Sequence, residues 1–380
     1  MTDRARLAIN SVMHKLLFLL LAALCSTSLT AADTGLKRYL YLSTPDGAQS
    51  GGSGKGILVF DIDDEHRFVR RIEIPFKEGL RGFCGSAKNH TVYYSSTSRI
   101  LGAFDLETEK VLWERQLEAG VDRACVTPDG KKLYAPTGWW WRGTNSGLLV
   151  LNPANGEVIN RLPSGPQAHN SIASLDGQFV YLGTETNFWV FRAKDDSLAR
   201  RFEGVGESGV FPFTVDSRNR IAYVCLGKHV GFDMLDVRKG KVLHRVMAND
   251  PSNGLSIAHR THGTGLTPDE KELWISDQDG KKLFIFDATK MPPKQTGHVD
   301  LSVGGHGWIT FSLDGRYAWC HTPDVIDAKS HKIVTTLKDE NGQPVSGSKF
   351  IEVHFRNGRV VNMGDQFGLG RAYAKNSVSR

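Results

Sequence analysis

The chain has 380 residues, is 40% hydrophobic, and carries 40 glycines and a formal net charge of +6. That apolar content excludes a disordered chain, and the mild positive charge, with no long basic run, gives no clear nucleic-acid signal. Many glycines and few long helical patterns favour short strands joined by turns, so the length fits one long all-β domain as well as two or three ordinary ones.

The first 32 residues read as a signal peptide. Arg4, Arg6, His14 and Lys15 make a basic start. Leu16 to Leu24 is an apolar run too short to span a bilayer, and Thr30-Ala31-Ala32 is a small-residue cleavage site. Met13 is an alternative start that gives a more usual signal length. Cleavage removes a net two positive charges. The expected mature protein is periplasmic or extracellular, with no later segment apolar enough to be a transmembrane helix. Four cysteines remain, Cys84, Cys125, Cys225 and Cys320, and none forms a close CxxC pair. Cys84 and Cys125 hold equivalent positions in successive repeats. In an oxidising compartment they are either a disulfide or two buried thiols.

The rest, 33–375, reads as one domain of repeats. Residues 258–305 show the unit most clearly. Gly263 to Thr267 is a first strand and Pro268-Asp269-Glu270 a turn, in which proline sets φ and aspartate closes on its own backbone. Glu272 to Ser276, Leu283 to Asp287 and Val299 to Val303 are the second, third and fourth strands. Similar turns open at Ala87, Pro128, Leu175, Ser217, Pro268, Leu313 and Arg356, about 41 to 51 residues apart, the period of a propeller blade. Such a sheet cannot bury both faces alone, so seven copies stacked around an axis are expected. This is an all-β, seven-bladed β-propeller of four-stranded antiparallel blades, closed by strands from both chain ends. Residues 349–355 supply the missing inner strand and 39–43, 57–63 and 68–74 the others. Residues 359–363 are then one strand too many: either they cap the closing blade, or the N-terminal strands are assigned wrongly by one.

The phrases TPDGKKLYAPT (127–137), SLDGQFVYLGT (174–184), TPDEKELWISD (267–277) and SLDGRYAWCHT (312–322) resemble the YVTN family of propeller repeats. The resemblance covers most of residues 37–365. It implies a propeller of the superfamily that holds lactonase-like enzymes and the quinoprotein amine dehydrogenase β-chain. Members include surface proteins, DNA binders and electron-transfer subunits, so the resemblance implies no single activity. A tryptophan-containing stretch at 105–117 resembles quinone-cofactor dehydrogenases, but a single blade carries it, and the sequence names no cofactor.

Propeller topology sorts the loops. Those that lead into inner strands share one face with those that join second to third strands. That face gathers His169, His262 and His306 before or within inner strands, His321 after a second strand, and Asp277. Neutral imidazoles meeting on an axis can bind a metal, and one His with a carboxylate can act as a general base. The bland alternative is that they bond inter-blade loops. Trp139, Trp140, Trp141 and Arg142 occupy a long loop on the same face, and indole faces stack on ligands or attract cations. Arg81, Arg123, Arg142, Arg260 and Lys228 add positive charge there, which suits an anionic ligand. The expectation is a monomer that binds a small molecule or a protein through this face. Its rival is a lactonase-like hydrolase or a metal-dependent oxidoreductase in which His262 and His306 act as ligands or base and Asp277 orients them.

Overall fold

The computed structural model describes residues 35–44, 56–74, 79–96, 99–138, 146–185, 187–207, 212–255, 260–304, 307–347, 349–365 and 368. They form seven antiparallel sheets with no helix among the described residues, and so none that could cross a membrane. The fold is a seven-bladed β-propeller.

Each blade begins with its inner strand. Blade 1 runs through Leu80–Ser86, Thr91–Ser96, Ile100–Asp105 and Lys110–Gln116. Blade 2 has Cys125–Val126, Leu133–Thr137, Gly147–Leu151 and Val158–Pro163; blade 3 has Asn170–Ala173, Phe179–Gly183, Asn187–Arg192 and Leu198–Glu203. Blade 4 has Phe213–Val215, Ile221–Cys225, Gly231–Asp236 and Lys241–Met247. Blade 5 has Thr261–Leu266, Glu272–Asp277, Lys282–Asp287 and Lys294–Asp300. Its last strand starts before the expected Val299, because Asp287 accepts the Thr289 N–H (2.9 Å) and reverses the chain sooner. Blade 6 has Thr310–Phe311, Tyr317–Trp319, Asp324–Asp327 and Lys332–Thr336.

The closing blade 7 joins Lys349–Arg356 to Leu36–Ser43, Ile57–Asp61 and Arg67–Ile72, as the sequence implies. Arg359–Asp365 is a true fifth strand. It pairs with the free edge of Lys349–Arg356 and packs against the inner strands of blades 1 and 6, so it lies on the channel side. Its end, Asp365, lines the same small cavity as Thr214, Gly265 and Phe311 of blades 4, 5 and 6. The extra strand therefore crosses toward the axis and covers an edge that would otherwise be bare.

Second and third strands are buried on both faces, whereas outer strands alternate, as in Lys294–Asp300. The reason is packing between blades. Seven apolar clusters form, one at each junction between neighbours, such as Tyr93, Leu101, Val126 and Leu149 between blades 1 and 2. A buried Leu, Val or Phe contributes about 1.5–3 kcal/mol, so the junctions carry the fold.

The turns on the opposite face from the inner-strand starts repeat one design. Thr127 donates its hydroxyl to Asp129 (2.6 Å), whose carboxylate accepts the Lys131 N–H (3.1 Å), while Lys132 N–H bonds the Thr127 hydroxyl (3.1 Å). Ser174 with Asp176, Thr267 with Asp269 and Ser312 with Asp314 repeat it. The aspartate closes on its own backbone, as the sequence implies.

Candidate functional site

The first residues of the inner strands decide what lines the mouth of the channel. Five positions before the Ser or Thr that opens each turn stand Arg81, Asp122, His169 and His262. In blades 1 and 5 the ladder shifts register between Leu80 and Gly82 and between Thr261 and Gly263. Arg81 and His262 are the extra residues of these bulges, a device that re-aims a side chain out of the ladder. The following glycines allow the inner strands to close up. A Cβ on Gly82 would lie 1.8 Å from the Asp122 carbonyl oxygen, and one on Gly263 would lie 1.1 Å from that of Gly307. Ser95 and Ser276 stitch the same junctions, donating to the carbonyls of Val121 (2.7 Å) and Gly307 (2.8 Å).

Side chains from opposite blades then meet. Trp308, from blade 6, reaches the apolar cluster of blades 3 and 4. The Arg123 guanidinium of blade 2 stacks 3.8 Å from the Trp308 ring centroid, and Lys349 Nζ of the closing blade lies 5.0 Å from it. Arg123 also bonds Asp122. His169 Nε2 donates to the other Asp122 oxygen at 2.9 Å. The His169 ring lies 6.5 Å from that of His262, and each lies close to Trp308, at 6.3 and 6.4 Å. Asp122, Arg123, His169, His262 and Trp308 are each less than 8% exposed, and Lys349 is 0% exposed.

Burial and charge set the protonation here. Burial opposes ionisation of Asp122, yet Arg123, the His169 hydrogen bond and Lys349 hold its carboxyl well below the usual range. Burial pushes Arg123 down to about 10, against the pull of Asp122. Burial, then the Arg123 and Arg81 charges, push Lys349 far below the ordinary lysine range, with Asp122 opposing them. Burial likewise lowers His169, although Asp122 favours its charged form. Desolvation is the largest effect at Arg123, His169 and Lys349.

Of the residues the sequence singled out, His169 and His262 come together. Asp277 ends a second strand, where its carboxylate folds over its own loop, so close that a Cβ on Gly280 would lie 2.1 Å from Oδ2. Asp122 is the acid bonded to His169. His321 follows the second strand of blade 6 and is half-buried. Trp139, Trp140, Trp141, Arg142 and His306 lie outside the described residues. Of the other basic residues, Arg81 and Arg123 belong to the mouth, whereas Arg260 bonds Gln278 at 2.5 Å and Lys228 is exposed. Among the described residues no three His, Cys, Asp or Glu side chains gather as a metal-binding set. Cys84 and Cys125 are buried thiols rather than a disulfide, and burial pushes Cys125 up to about 12. Sequence reasoning missed Asp122, Trp308 and Lys349. The constant offset from each turn marks Asp122, and Trp308 and Lys349 stand within one residue of it.

No protein-family model matches this chain, and no curated protein matches it in sequence. Among solved structures it resembles Kuenenia stuttgartiensis hydrazine synthase, with a TM-score of 0.55 and 16% identity over 66% of this chain and 77% of that one. What the two share at that identity is the β-propeller fold.

Proposed function

We propose that this is an exported binding protein that takes a ligand, a small molecule or a segment of a protein, at the channel mouth. One observation carries the reading. Asp122, Arg123, His169, His262, Trp308 and Lys349 come from five blades and meet in one buried place. Burying so many ionisable groups costs stability, and perturbed groups of this kind gather at functional sites. The test is native mass spectrometry of the protein purified from the exported fraction, with a thermal-shift screen of small molecules. A co-purifying or stabilising ligand that Trp308→Leu or Trp140→Ala releases is the expected result. A protein that carries nothing and responds to nothing would overturn it.

A second reading, a hydrolase of the lactonase-like kind, draws on the buried Asp122–His169 pair. The carboxylate fixes the imidazole so that Nδ1 is the basic nitrogen, the arrangement of a general base and its orienting acid. Lactone turnover that is abolished in His169→Gln would favour this reading. A metal-dependent oxidoreductase would show near-stoichiometric metal by elemental analysis, lost in a His262→Ala/His306→Ala variant.

A further inference from the structure

We propose that His66 is an acid-sensitive latch on the seam between blade 6 and the closing blade. Neutral, it holds the N-terminal strands against blade 6; on taking up a proton it leaves its seat, and the propeller opens there first. This goes beyond the ligand reading of the mouth and does not depend on it.

His66 stands in the tight turn between Ile57–Asp61 and Arg67–Ile72, which the Arg67 N–H closes on the Asp64 carbonyl (2.8 Å). The imidazole of this turn points into the seam. Its ring centroid lies 4.8 Å from that of Tyr317 and 5.7 Å from that of Trp319, both of blade 6. Trp319 is 0% exposed and packs in one apolar cluster with Leu58 and Phe60 of the closing blade and Val325 of blade 6. Its indole N–H donates across the seam to His66 Nε2 at 3.2 Å. One protonation state allows that bond. A neutral imidazole accepts it with a lone pair, whereas an imidazolium carries N–H on both nitrogens and has no acceptor to offer. Protonation in place would set a buried N–H against a buried N–H.

A second observation comes from the backbone. Glu65 and His66 have φ of 50° and 60°. They are the one pair of consecutive non-glycine residues in the left-handed region among the described residues. A turn with positive φ at both central residues favours Asn-Gly, and side chains with a Cβ stay in it where their surroundings hold them. At His66 those surroundings are Tyr317 and Trp319. A turn of this kind gains backbone freedom once the imidazole is released.

The charged groups that face the imidazole are Arg38 of the closing blade, Arg316 of blade 6 and Asp63 of its own turn. Asp63 is taken up by Arg38, which bonds it through Nε (2.8 Å) and Nη2 (2.6 Å) and reaches across the seam to Asp314 (2.5 Å). Arg316 lies over the Tyr317 ring, 4.9 Å from its centroid. Burial, then the two guanidiniums, lower the His66 pKa to about 4, with Asp63 opposing them. Burial opposes the charge of Asp314, but bonds from Ser312, the Arg316 N–H and Arg38 outweigh it and keep its carboxyl below the usual range. The Arg38–Asp314 bridge therefore stays in place while His66 takes up its proton. A released imidazole has the ordinary value of 6.5, so the opening equilibrium at this seam rises about 50-fold from pH 7 to pH 4.5.

The experiment is hydrogen exchange by mass spectrometry on the purified protein at pH 7 and pH 4.5, with rates corrected for the intrinsic effect of pH. Peptides that cover 57–72 and 317–327 should lose about 50-fold of their protection in acid, while the seam of blades 3 and 4, at Phe188 and Phe213, keeps its own. His66→Gln has an amide oxygen that can accept the Trp319 N–H and takes up no proton, so its seam should stay protected at both values. An equal acid response in His66→Gln would overturn the latch. So would a parent whose seam does not respond, or one whose seven seams loosen together, because acid would then act on the whole ring. If His66→Gln does not fold, the parent decides: its loss of protection must follow the titration of the His66 imidazole NMR signal, and a loss that follows another titration overturns the proposal.

Discussion

The two faces of the disc use polar residues in opposite ways. On the turn face each aspartate is satisfied within five residues of itself, as Thr127, Asp129 and Lys131 show. Links between blades there are short and paired: Asn89 Nδ2 donates to the Gly130 carbonyl, Asn219 Nδ2 to Asp176, and the Leu313 N–H to Glu352. At the mouth the partners, Asp122 with Arg123 apart, are distant in sequence and unlike one another, and Asn170, buried beside them in the chain, finds no side-chain partner among the described residues. A face that repeats and closes on itself serves the fold. A face where each blade contributes a different side chain, at a cost in desolvation, has been shaped by something other than stability.

The largest effect that tests this contrast is at Asp122. Asp122→Ala leaves Arg123 buried without its carboxylate, and breaking a buried pair costs about 3–5 kcal/mol. Urea unfolding should show that loss as a lowered midpoint with an unchanged slope.

The turn face supplies a pH test of similar size. His66 is 4% exposed, packs against Tyr317, and accepts the Trp319 Nε1–H at 3.2 Å. Burial, then the Arg38 and Arg316 charges, lower its pKa to about 4. The unfolded imidazole takes up a proton below about pH 6.5, and the folded one does so only below about 4. The stability it contributes is therefore present above 6.5 and is lost as pH falls from there to 4, about 3 kcal/mol in all. Unfolding midpoints across that range should fall less steeply in His66→Gln than in the parent.

Gly263→Ala comes next. Its Cβ collides with backbone rather than with a movable side chain, so overpacking should cost about 1–3 kcal/mol and shift His262. Thermal unfolding and the His262 NMR signal would report both. Ser312→Ala is the smallest. It removes two local bonds, one donated to Asp314 and one accepted from the Tyr317 N–H (2.8 Å), together worth about 1–2 kcal/mol, and should leave the mouth untouched.

The same contrast explains what was legible in the sequence. Ser174 and Asp176 are two residues apart, so the turn reads directly off the chain, and with it the blade count and the closure. The fifth strand was visible as residues 359–363, but not its place, because a strand's neighbours depend on edges left free elsewhere. Arg123 and Trp308 are far apart in the sequence and in non-adjacent blades, and no local pattern announces that they stack. Asp277 ends the strand that pairs with the one carrying His262, and one of its carboxylate oxygens lies against Gly280 of its own loop. His66 sits in the turn after Asp61 and is a core histidine only through Trp319 and Tyr317, in another blade.

The most direct test is to replace the charged group at the mouth as a whole, in the variant Asp122→Leu/Arg123→Met/Lys349→Met, and to measure stability by urea unfolding alongside ligand retention by native mass spectrometry. Apolar residues in place of buried ionic groups are often neutral or stabilising by about 1–4 kcal/mol. If the mouth is held for a ligand, this variant will be at least as stable as the parent and will no longer retain the ligand that the parent carries. A variant as unstable as Asp122→Ala would contradict the account, because the charges would then be serving the fold.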